Sequence, residues 1–556
     1  MAFAYSEYTP TNRSVYEMLE KSTQEYMDSV ALYYYGYKVT YRRLFEKIDE
    51  VAQALQAMGV GKNDVVASSL VGMPEGVYLL YAINKIGAVY CAFDCRSRTE
   101  ELRETVEKFS PKACFIPDFQ LDEFKGVTGA PIVYVSPVSS VNKWQPLVDK
   151  VTNFFKGRTG WMKKQGNFIS YSQFKAGAAN GGTVTTATAD NNRFGYFYTS
   201  GTTYGRKSII LTNENINAAA LQQGTSLDPV PGESILNIMP LFTCYSVTLA
   251  VHLPLIYGVR VTLLPLLDTK KMKEKLLKYQ PNYIISVPAH WEHFIKSEFE
   301  PDCDLSFMKK LVVGGDVLSN SARDKINEIF AAHGGNTPLM PGYGLSETTS
   351  TTTSAYCPSP VGSVGYPLMH TRVAIFDPDT GAQLPAGQPG EICTCGPTVC
   401  DGYYQEEEMT AKLLRRHEDG TVWLHSGDCG YMDESGAVFF CERYKRMYVR
   451  HDGTKVSPYS IEQVIAGCPM VDRCLVVPIR DVRHEYGMCP KAIIVPKAEY
   501  NNPADHEKIK KYIEKNIAVH LIPRAYDFVE KLPITKMGKV DYFAAQQEDK
   551  AEEKSE

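Results

Sequence analysis

Residues 41–67 read YRRLFEKIDEVAQALQAMGVGKNDVVA, and they show the pattern that decides the fold of the first half of the chain. The run 64–67 after the helical stretch is typical of a buried strand. The same order returns at 75–93 and at 100–116, a helical stretch before a short apolar run each time. Such alternation predicts parallel sheet with helices on its faces. The residues at helical spacing in the first repeat are Leu44, Ile48, Val51, Leu55 and Met58.

The alternation resumes after a Gly/Thr/Ala-rich segment at 176–192, which we interpret as a linker or exposed loop. From 362 to 440 the sequence changes to short strand patterns separated by turn signals, which predicts a β-rich subdomain. From about Tyr444 onward a smaller α+β unit is expected, and the charged residues 546–556 are expected to form a disordered tail.

The bulk composition excludes several classes of protein. The chain has 556 residues, too many for one hydrophobic core, and 44% hydrophobic with 22% charged residues is typical of a globular protein. A formal net charge of -5 argues against nucleic acid as a partner. The 14 cysteines include no C-x-x-C pair, which favours reduced thiols. The N-terminus is no signal peptide, and the apolar region 250–267 predicts a core helix and a buried strand rather than a membrane span, so a cytoplasmic enzyme is expected.

Residues 198–207, YTSGTTYGRK, combine hydroxyl groups, glycines and a terminal lysine. Hydroxyl and backbone N–H donors can surround anionic oxygens, glycine permits a close approach of the backbone, and lysine adds a mobile positive charge. The stretch therefore predicts a phosphate-binding loop. A flexible surface loop is the alternative interpretation.

Further motifs stand downstream in a fixed order: Tyr343-Gly344-Leu345-Ser346-Glu347, then His425-Ser426-Gly427-Asp428, then Arg443 leading to Gly453 and Pro458, and finally Pro533-Ile534-Thr535-Lys536-Met537-Gly538-Lys539. Together with the loop, this set resembles the adenylate-forming (AMP-binding) superfamily of acyl-CoA synthetases, luciferases and peptide-synthetase adenylation domains. The resemblance extends from about Tyr33 to about Tyr542.

The resemblance implies the α/β fold class in a particular arrangement. The large N-terminal region, 1–443, is expected to bind ATP and acyl substrate through two doubly wound α/β subdomains, about 1–190 and 191–355, and a β-barrel-like subdomain at 356–443. A small mobile α+β C-terminal domain at 444–545 is expected to carry the catalytic lysine, ahead of the tail at 546–556.

The resemblance also implies roles for individual residues. Lys539 is the expected catalytic residue: adenylation brings two anions together, and a cation between them lowers their repulsion in the transition state. Glu347 is the expected Mg²⁺ ligand, since Mg²⁺ prefers carboxylate and phosphate oxygens. Lys445 occupies the hinge position. The expected nucleotide and cofactor contacts are Thr199, Ser200, Gly201, Thr202, Thr203, Lys207, Gly315, Asp316, Tyr343, Ser346, Asp428, Arg443 and Gly453.

Among these contacts, Tyr343 is expected to offer an aromatic face to adenine. Asp428 and Arg443 are expected to contact the ribose hydroxyls. The region of Gly453 is expected to lie beside the pantetheine of coenzyme A.

The acyl pocket is placed by resemblance at Phe242, Thr243, Tyr245, His290 and Gly314, with Trp291 nearby. Amino-acid-activating relatives usually hold the substrate ammonium with an aspartate at the position matched to Thr243. Because a buried ammonium without a counter-charge is costly, a neutral aliphatic or aromatic acid is favoured.

The chain departs from the family pattern at several positions. Tyr204, Arg206 and Ser208 stand where Gly, Pro and Gly are usual, and a tyrosine tolerates positive φ poorly. Glu442 replaces the glycine that usually precedes the arginine, the segment from Arg443 to Gly453 is one residue longer than typical, and Asp316 stands where a small residue is usual. The altered phosphate loop leaves open the alternative hypothesis that the chain is a catalytically impaired, adenylate-binding protein.

Two other constellations are interpreted as structural. His290 and His293 would share one helical face but lack further ligands for zinc, and Cys393 and Cys395 would share one face of a strand as packing residues. The expected function is an ATP-dependent carboxylic acid:CoA ligase using ATP, Mg²⁺ and coenzyme A, as a monomer or homodimer. An enzyme that loads a separate carrier protein, or a luciferase-like oxidising enzyme, is the alternative from the same chemistry.

Overall fold

The computed structural model describes residues 6–127, 129–140, 168–180, 182–184, 186–187, 193–199, 207–265, 268–316, 318–484, 487–534, 540–542 and 544–546. Its helices are α1 (Val15–Ser22), α2 (Tyr41–Ala57), α3 (Pro74–Lys85), α4 (Thr99–Phe109), α5 (Tyr171–Ala176), α6 (Asn213–Leu227), α7 (Leu253–Ile256), α8 (Met272–Tyr279), α9 (Glu292–Ile295), α10 (Asn320–Ala332), α11 (Glu407–Leu413), α12 (Pro458–Ala466) and α13 (Pro503–Asn516).

The strands are β1 (Val30–Tyr34), β2 (Tyr37–Thr40), β3 (Val65–Ser68), β4 (Val89–Ala92), β5 (Ala113–Pro117), β6 (Ile132–Val135), β7 (Phe168–Ser170), β8 (Arg193–Tyr198), β9 (Ser208–Thr212), β10 (Ser234–Asn237), β11 (Arg260–Leu263), β12 (Tyr283–Ser286), β13 (Lys310–Val313), β14 (Leu339–Tyr343), β15 (Thr353–Ser354), β16 (Tyr366–Pro367), β17 (Arg372–Phe376), β18 (Gly390–Cys395), β19 (Leu414–Arg416), β20 (Val422–Met432), β21 (Val438–Arg443), β22 (Tyr448–Val449), β23 (Lys455–Val456), β24 (Val471–Arg480), β25 (Met488–Pro496) and β26 (Ala525–Phe528).

Two large sheets form the body of the molecule. The first has the strand order β7-β6-β5-β3-β4-β8-β9 and is parallel except at β9. The second has the order β16-β15-β14-β13-β12-β10-β11-β1-β2, with a parallel centre and antiparallel edges. The sheets interleave along the chain, because β1 and β2 join the second sheet while β9 joins the first. The division at 190/191 stays a prediction about chain segments.

Two smaller sheets complete the fold. The β-rich region pairs β17, β18, β20 and β19 in that order, with β21 added to β20. The C-terminal domain holds the sheet β24-β25-β26, the hairpin β22-β23 and the helices α12 and α13. The predicted α/β class with parallel sheets and a separate small C-terminal domain is confirmed.

The repeats found in the sequence correspond to elements of the first sheet and its helices. α2 begins where the Thr40 side chain accepts a hydrogen bond from the Arg43 amide, and Thr is a favourable N-cap residue. α3 is buried along its whole length, so the predicted helix lies in the core instead of presenting a polar face. Two polar residues at its C-terminal end are paired: Lys85 donates to the Tyr16 hydroxyl at 2.9 Å, and Asn84 donates to Asn213 at 2.8 Å.

The apolar region 250–267 also follows its prediction. A π-helix at Ser246–His252 continues into α7, and the buried strand β11 follows. Among the described residues, no helix is both long and apolar enough to span a bilayer.

Gly195 in β8 is required by the close approach of two strands. It pairs with Tyr90 of β4, and a Cβ there would lie 2.4 Å from the Tyr90 carbonyl oxygen. We expect Gly195→Ala to destabilise the large domain by about 1–3 kcal/mol, because backbone must move to admit the methyl group. Calorimetry should show a lower midpoint for its unfolding transition. Gly177→Ala, where a Cβ meets nothing within 4 Å, is the control and should leave the midpoint unchanged.

Candidate active site

The candidate site lies at the carboxyl edge of the second sheet, where four neighbouring strands end. The sheet order β14-β13-β12-β10 brings these ends side by side. The predicted pocket residues follow β10, β12 and β13, and Tyr343 is the last residue of β14. Crevices at this edge of an open α/β sheet are where such folds bind ligands. The pocket residues are Phe242, Thr243, Tyr245, His290 and Gly314.

Tyr245 and Gly314 are in direct proximity. The Tyr245 hydroxyl donates to the Ser286 carbonyl at 3.3 Å, and a Cβ on Gly314 would lie 3.3 Å from that hydroxyl and 3.2 Å from the Gly342 carbonyl. Glycine at 314 therefore leaves room for the phenol ring against the strand ends. This pair forms one wall of the predicted pocket.

The other predicted pocket residues have distinct environments. Burial lowers the pKa of His290 to about 4, so its imidazole is neutral at physiological pH. The Phe242 ring has the Arg96 guanidinium 5.7 Å from its centroid. The Thr243 hydroxyl is used in a local turn, donating to Pro240 at 3.0 Å and accepting from the Ser246 amide at 3.2 Å. Trp291 is fully buried in the core, where its indole N–H donates to the Ser286 hydroxyl at 2.8 Å.

Tyr343, Asp428 and Arg443 converge on one buried carboxylate. The Tyr343 hydroxyl donates to Asp428 Oδ2 at 2.9 Å, and Arg443 Nε lies 3.2 Å from Oδ1. The Asp428 side chain is 2% exposed and that of Arg443 56% exposed. Burial raises the pKa of Asp428 and Arg443 opposes the shift, while burial and the Asp428 charge raise the pKa of Tyr343. The three predicted nucleotide contacts are thus brought together.

A second buried carboxylate supports the irregular segment of β20 that precedes Asp428, and no sequence motif indicated it. Glu391 of β18 accepts the Gly427 amide at 2.9 Å through Oε1 and contacts His425 Nδ1 at 2.7 Å through Oε2. His425 Nε2 in turn lies 3.0 Å from His417 Nε2. Against the effect of burial, the hydrogen bonds from His425 and Gly427 hold the pKa of Glu391 below its ordinary value.

Glu347, the predicted metal ligand, lies beside Tyr403. The sequence analysis did not include Tyr403 among the candidate site residues. The Tyr403 hydroxyl donates to Glu347 Oε1 at 2.7 Å, and Lys207 Nζ lies 5.0 Å from the Tyr403 ring centroid. Burial and then the charge of Lys445 lower the pKa of Lys207, while Glu347 opposes the shift. A carboxylate with its second oxygen unbonded among the described residues fits the ligand preference of Mg²⁺.

The remaining described contacts are placed as follows. Gly315 has a φ of +81°, a conformation that favours glycine. The charge of Asp428 raises the pKa of Arg443, and exposed Asp316 adds to that rise. Ser346 is the first residue of a short 3-10 turn and hydrogen-bonds the Cys244 thiol. Gly453, with a φ of +82°, is exposed in the turn between β22 and β23.

Several predicted residues lie outside the described part of the chain. The two ends of the phosphate-loop candidate are described, and the Thr199 amide donates to the Lys207 carbonyl at 3.0 Å. Ser208 begins β9 and is fully buried. The predicted residues without description are Ser200, Gly201, Thr202, Thr203, Tyr204, Arg206 and Lys539.

The structural interpretation of the histidine and cysteine pairs also has an outcome. Among the described residues, the groups that could hold a metal are Glu391 with Cys393 and His425, and His451 with Asp481 and His484. Neither includes His290 or His293. Cys393 is fully buried in β18 with its sulfur 3.4 Å from His425 Nδ1, and Cys395 belongs to neither group, so the packing role of the two cysteines stays a prediction.

Comparison with known proteins identifies the family. The family model for AMP-binding enzyme matches residues 19–404, and the model for the AMP-binding enzyme C-terminal domain matches 460–539. The chain therefore belongs to the AMP-binding enzymes, the adenylate-forming superfamily.

Individual relatives cover nearly the whole chain. A long-chain-fatty-acid–CoA ligase of Bacillus subtilis (strain 168) is 26% identical over 537 residues, 95% of this chain and 93% of the relative. A 2-succinylbenzoate–CoA ligase of Bacillus mycoides (strain KBAB4) is 26% identical over 499 residues, 89% of this chain and 91% of the relative. Family membership and these names support the enzyme class of AMP-forming acid–thiol ligases.

Solved structures share the fold. The anthranilate–CoA ligase AuaEII in complex with anthranoyl-AMP has a TM-score of 0.82 at 19% identity, covering 98% of each chain. ATP-bound MatB from Rhodopseudomonas palustris has a TM-score of 0.81 at 22% identity, covering 97% of this chain and 99% of that one. At these identities the likeness shows the fold alone.

Glu391 should be essential for the stability of the irregular segment of β20 around Asp428. We expect Glu391→Ala to cost about 3–5 kcal/mol, since it leaves a buried imidazole and a backbone amide without their acceptor. In the parent protein this contribution should be present above the ordinary carboxyl pKa and lost as the pH falls through the lower pKa of Glu391.

The measurement is denaturant unfolding of parent and variant as a function of pH, followed by a probe in the large domain. The difference between the two should shrink in acid. A difference that does not vary with pH would contradict the linkage, and Glu434→Ala, at an exposed turn of the same region, should match the parent throughout.

Proposed function

We propose that the chain is an ATP-dependent carboxylic acid:CoA ligase that works through an acyl-adenylate. A carboxylate oxygen of the substrate attacks the α-phosphorus of ATP, the bond to the β-phosphate oxygen breaks, and pyrophosphate leaves. The thiol of coenzyme A then attacks the acyl carbon, AMP leaves with the bonding electron pair, and the thiol proton is lost to solvent.

The convergence of Tyr343 and Arg443 on buried Asp428, at the edge where the pocket opens, is the observation that carries this proposal. Each oxygen of Asp428 already accepts one hydrogen bond or ion-pair contact and retains capacity for another, as a ribose diol requires. Burial raises the pKa of Asp428, and the charge of Arg443 opposes that rise. The proposed role of Asp428 is to fix the nucleotide so that the α-phosphorus faces the acyl pocket.

Glu347 and Lys207 are the proposed contacts of the metal and the phosphates. Mg²⁺ held at Glu347 would neutralise phosphate charge as pyrophosphate departs. Tyr403 orients Glu347 through Oε1, which leaves Oε2 for the ion. The lowered pKa of Lys207 reflects a site where a cation is poorly solvated, so an anionic phosphate there gains a counter-charge.

The proposed substrate is an aliphatic or aromatic acid without a positive charge. Thr243 supplies no carboxylate for an ammonium, and its hydroxyl is engaged in the local turn. Phe242, Tyr245 and neutral His290 offer a largely apolar lining. We propose a cytoplasmic enzyme acting as a monomer or homodimer.

The proposal is tested by mixing the protein with Mg-ATP and a panel of carboxylic acids, and following pyrophosphate release. Hydroxylamine then traps the adenylate, and coenzyme A is compared with carrier proteins as the acceptor. We expect release with at least one aliphatic or aromatic acid and thioester formation with coenzyme A. Absence of pyrophosphate release with every acid would favour an adenylate-binding protein instead, and acylation of a carrier protein alone would reassign the acceptor.

Lys539 should serve only the first half-reaction. It lies outside the described residues, between Ile534 and Val540, which pair in an antiparallel bridge. We expect Lys539→Ala to lower the rate of adenylate formation by a factor on the order of 100 or more, as for loss of one preorganised charge contact. Thioester formation from supplied acyl-adenylate should be largely retained.

Single-turnover assays of the two half-reactions provide the measurement. Lys531→Ala, a lysine before the terminal motif, serves as the control and should leave both rates at the parent level. Equal loss of both half-reactions in Lys539→Ala would refute the division.

A further inference from the structure

Glu442 lies where the large domain passes into the C-terminal domain. It is the penultimate residue of β21, directly before Arg443 and three residues before Lys445. In the β20–β21 pairing it stands opposite Cys429, next to the pair formed by Asp428 and Arg443. Its side chain is 1% exposed. A carboxylate at this position, where the family usually has glycine, therefore needs partners.

The Glu442 carboxylate accepts backbone amides from both sides of the domain junction. Oε1 accepts the Arg443 amide at 2.8 Å, and Oε2 accepts the Tyr459 amide at 2.8 Å. Tyr459 is the second residue of α12, in the first turn, where amides have no partner within the helix. A negative charge there is also favoured by the helix dipole. Glu442 thus acts as a capping group for α12 that comes from another domain.

Arg446 connects the same carboxylate to a second one. Its Nη1 lies 3.5 Å from Glu442 Oε1, and its Nη2 pairs with Glu462 of α12. Glu462 also accepts the Val476 amide of β24 at 2.8 Å, and the Arg446 guanidinium lies 4.7 Å from the Tyr542 ring centroid. One guanidinium therefore stands between two largely buried carboxylates and binds β21 to the C-terminal sheet.

Apolar contact alone would join β21 to the C-terminal domain without the free-energy cost of burying charged groups. Burial raises the pKa of Glu442 to about 7, with Arg446 and the two amides opposing the shift, and burial raises the pKa of Glu462 as well. Buried ionic groups add little net stability, but their directional bonds can select one arrangement among several. The ring contact between Phe440 and Tyr459, 5.9 Å between centroids, lacks that directionality.

We propose that Glu442 is a positioning residue: by capping α12 and pairing with Arg446, it holds the C-terminal domain in the orientation in which α12 lies against β21, next to the Asp428–Arg443 pair. Loss of the carboxylate frees the first turn of α12 from β21 and shifts the domain toward other orientations. The consequence for catalysis, a changed balance between adenylation and thioester formation, rests on the proposed function.

The test uses the full chain and measures hydrogen exchange at the first turn of α12, residues 458–462. We expect Glu442→Ala to speed exchange at the Tyr459 amide by about fivefold or more, as for loss of a capping side chain. Glu442→Gln keeps the side-chain length and one acceptor oxygen, so its effect should be smaller. Glu434→Ala, an exposed glutamate of the same subdomain, should leave the exchange at the parent value.

The second measurement is the ratio of the two half-reaction rates at equal protein stability. A positioning role predicts that Glu442→Ala changes this ratio, whereas a merely structural role lowers both rates together. Unchanged exchange at Tyr459 in Glu442→Ala overturns the proposal, and so does an unchanged ratio. If the parent protein releases no pyrophosphate, the proposed function fails while the exchange result still decides whether Glu442 holds α12.

Discussion

The Asp428 carboxylate is the interaction on which the arrangement of the site depends. It is buried within β20 of the β-rich region, and its partners come from two other strands: Tyr343 is the last residue of β14 in the second sheet, and Arg443 is the last residue of β21, which pairs with β20. Removal of a carboxylate from water is costly, and the cost is offset only when its partners are correctly placed. The relative positions of β14, β20 and β21 therefore depend on the Asp428 carboxylate.

Two other buried carboxylates, Glu391 and Glu442, contribute to the same arrangement. Glu391 fixes the irregular segment of β20 that precedes Asp428, by binding Gly427 and His425. Glu442 lies one residue before Arg443 and accepts an amide of the C-terminal domain. Each is held by backbone N–H groups as well as by a charged or imidazole side chain. Directional bonds of this kind align strand ends more closely than apolar packing does.

The predicted pocket has a different character, because its polar groups are occupied or neutral. The Thr243 hydroxyl and the Tyr245 hydroxyl are bonded to the protein itself, and His290 is uncharged. Glu347 and Lys207, the proposed contacts of the metal and the phosphates, both lie beside Tyr403. The site thus separates an apolar region from a charged one, as a reaction between an organic acid and a nucleotide requires.

The sequence by itself determined the fold class, because helical periodicity followed by short apolar runs leaves a parallel sheet as the arrangement that buries both. The resemblance of its motifs to the adenylate-forming superfamily also predicted Tyr343, Asp428 and Arg443 as members of one site. Only the tertiary structure decided the partners of those residues. Tyr403 is 56 residues from Glu347, and Glu391 is 34 residues from His425.

The sequence likewise did not indicate that β1 joins the second sheet and β9 the first. Strand pairing is set by competition among distant segments for the same sheet edge. Glu442 shows the limit most clearly. In the sequence, Glu442 is a departure from the family pattern and nothing more. Its contact with the Tyr459 amide of α12, at 2.8 Å, is evident only in the folded structure. Periodicity is a local property that can be recognised along the chain. The role of a buried charged residue depends on the partners that long-range packing places beside it.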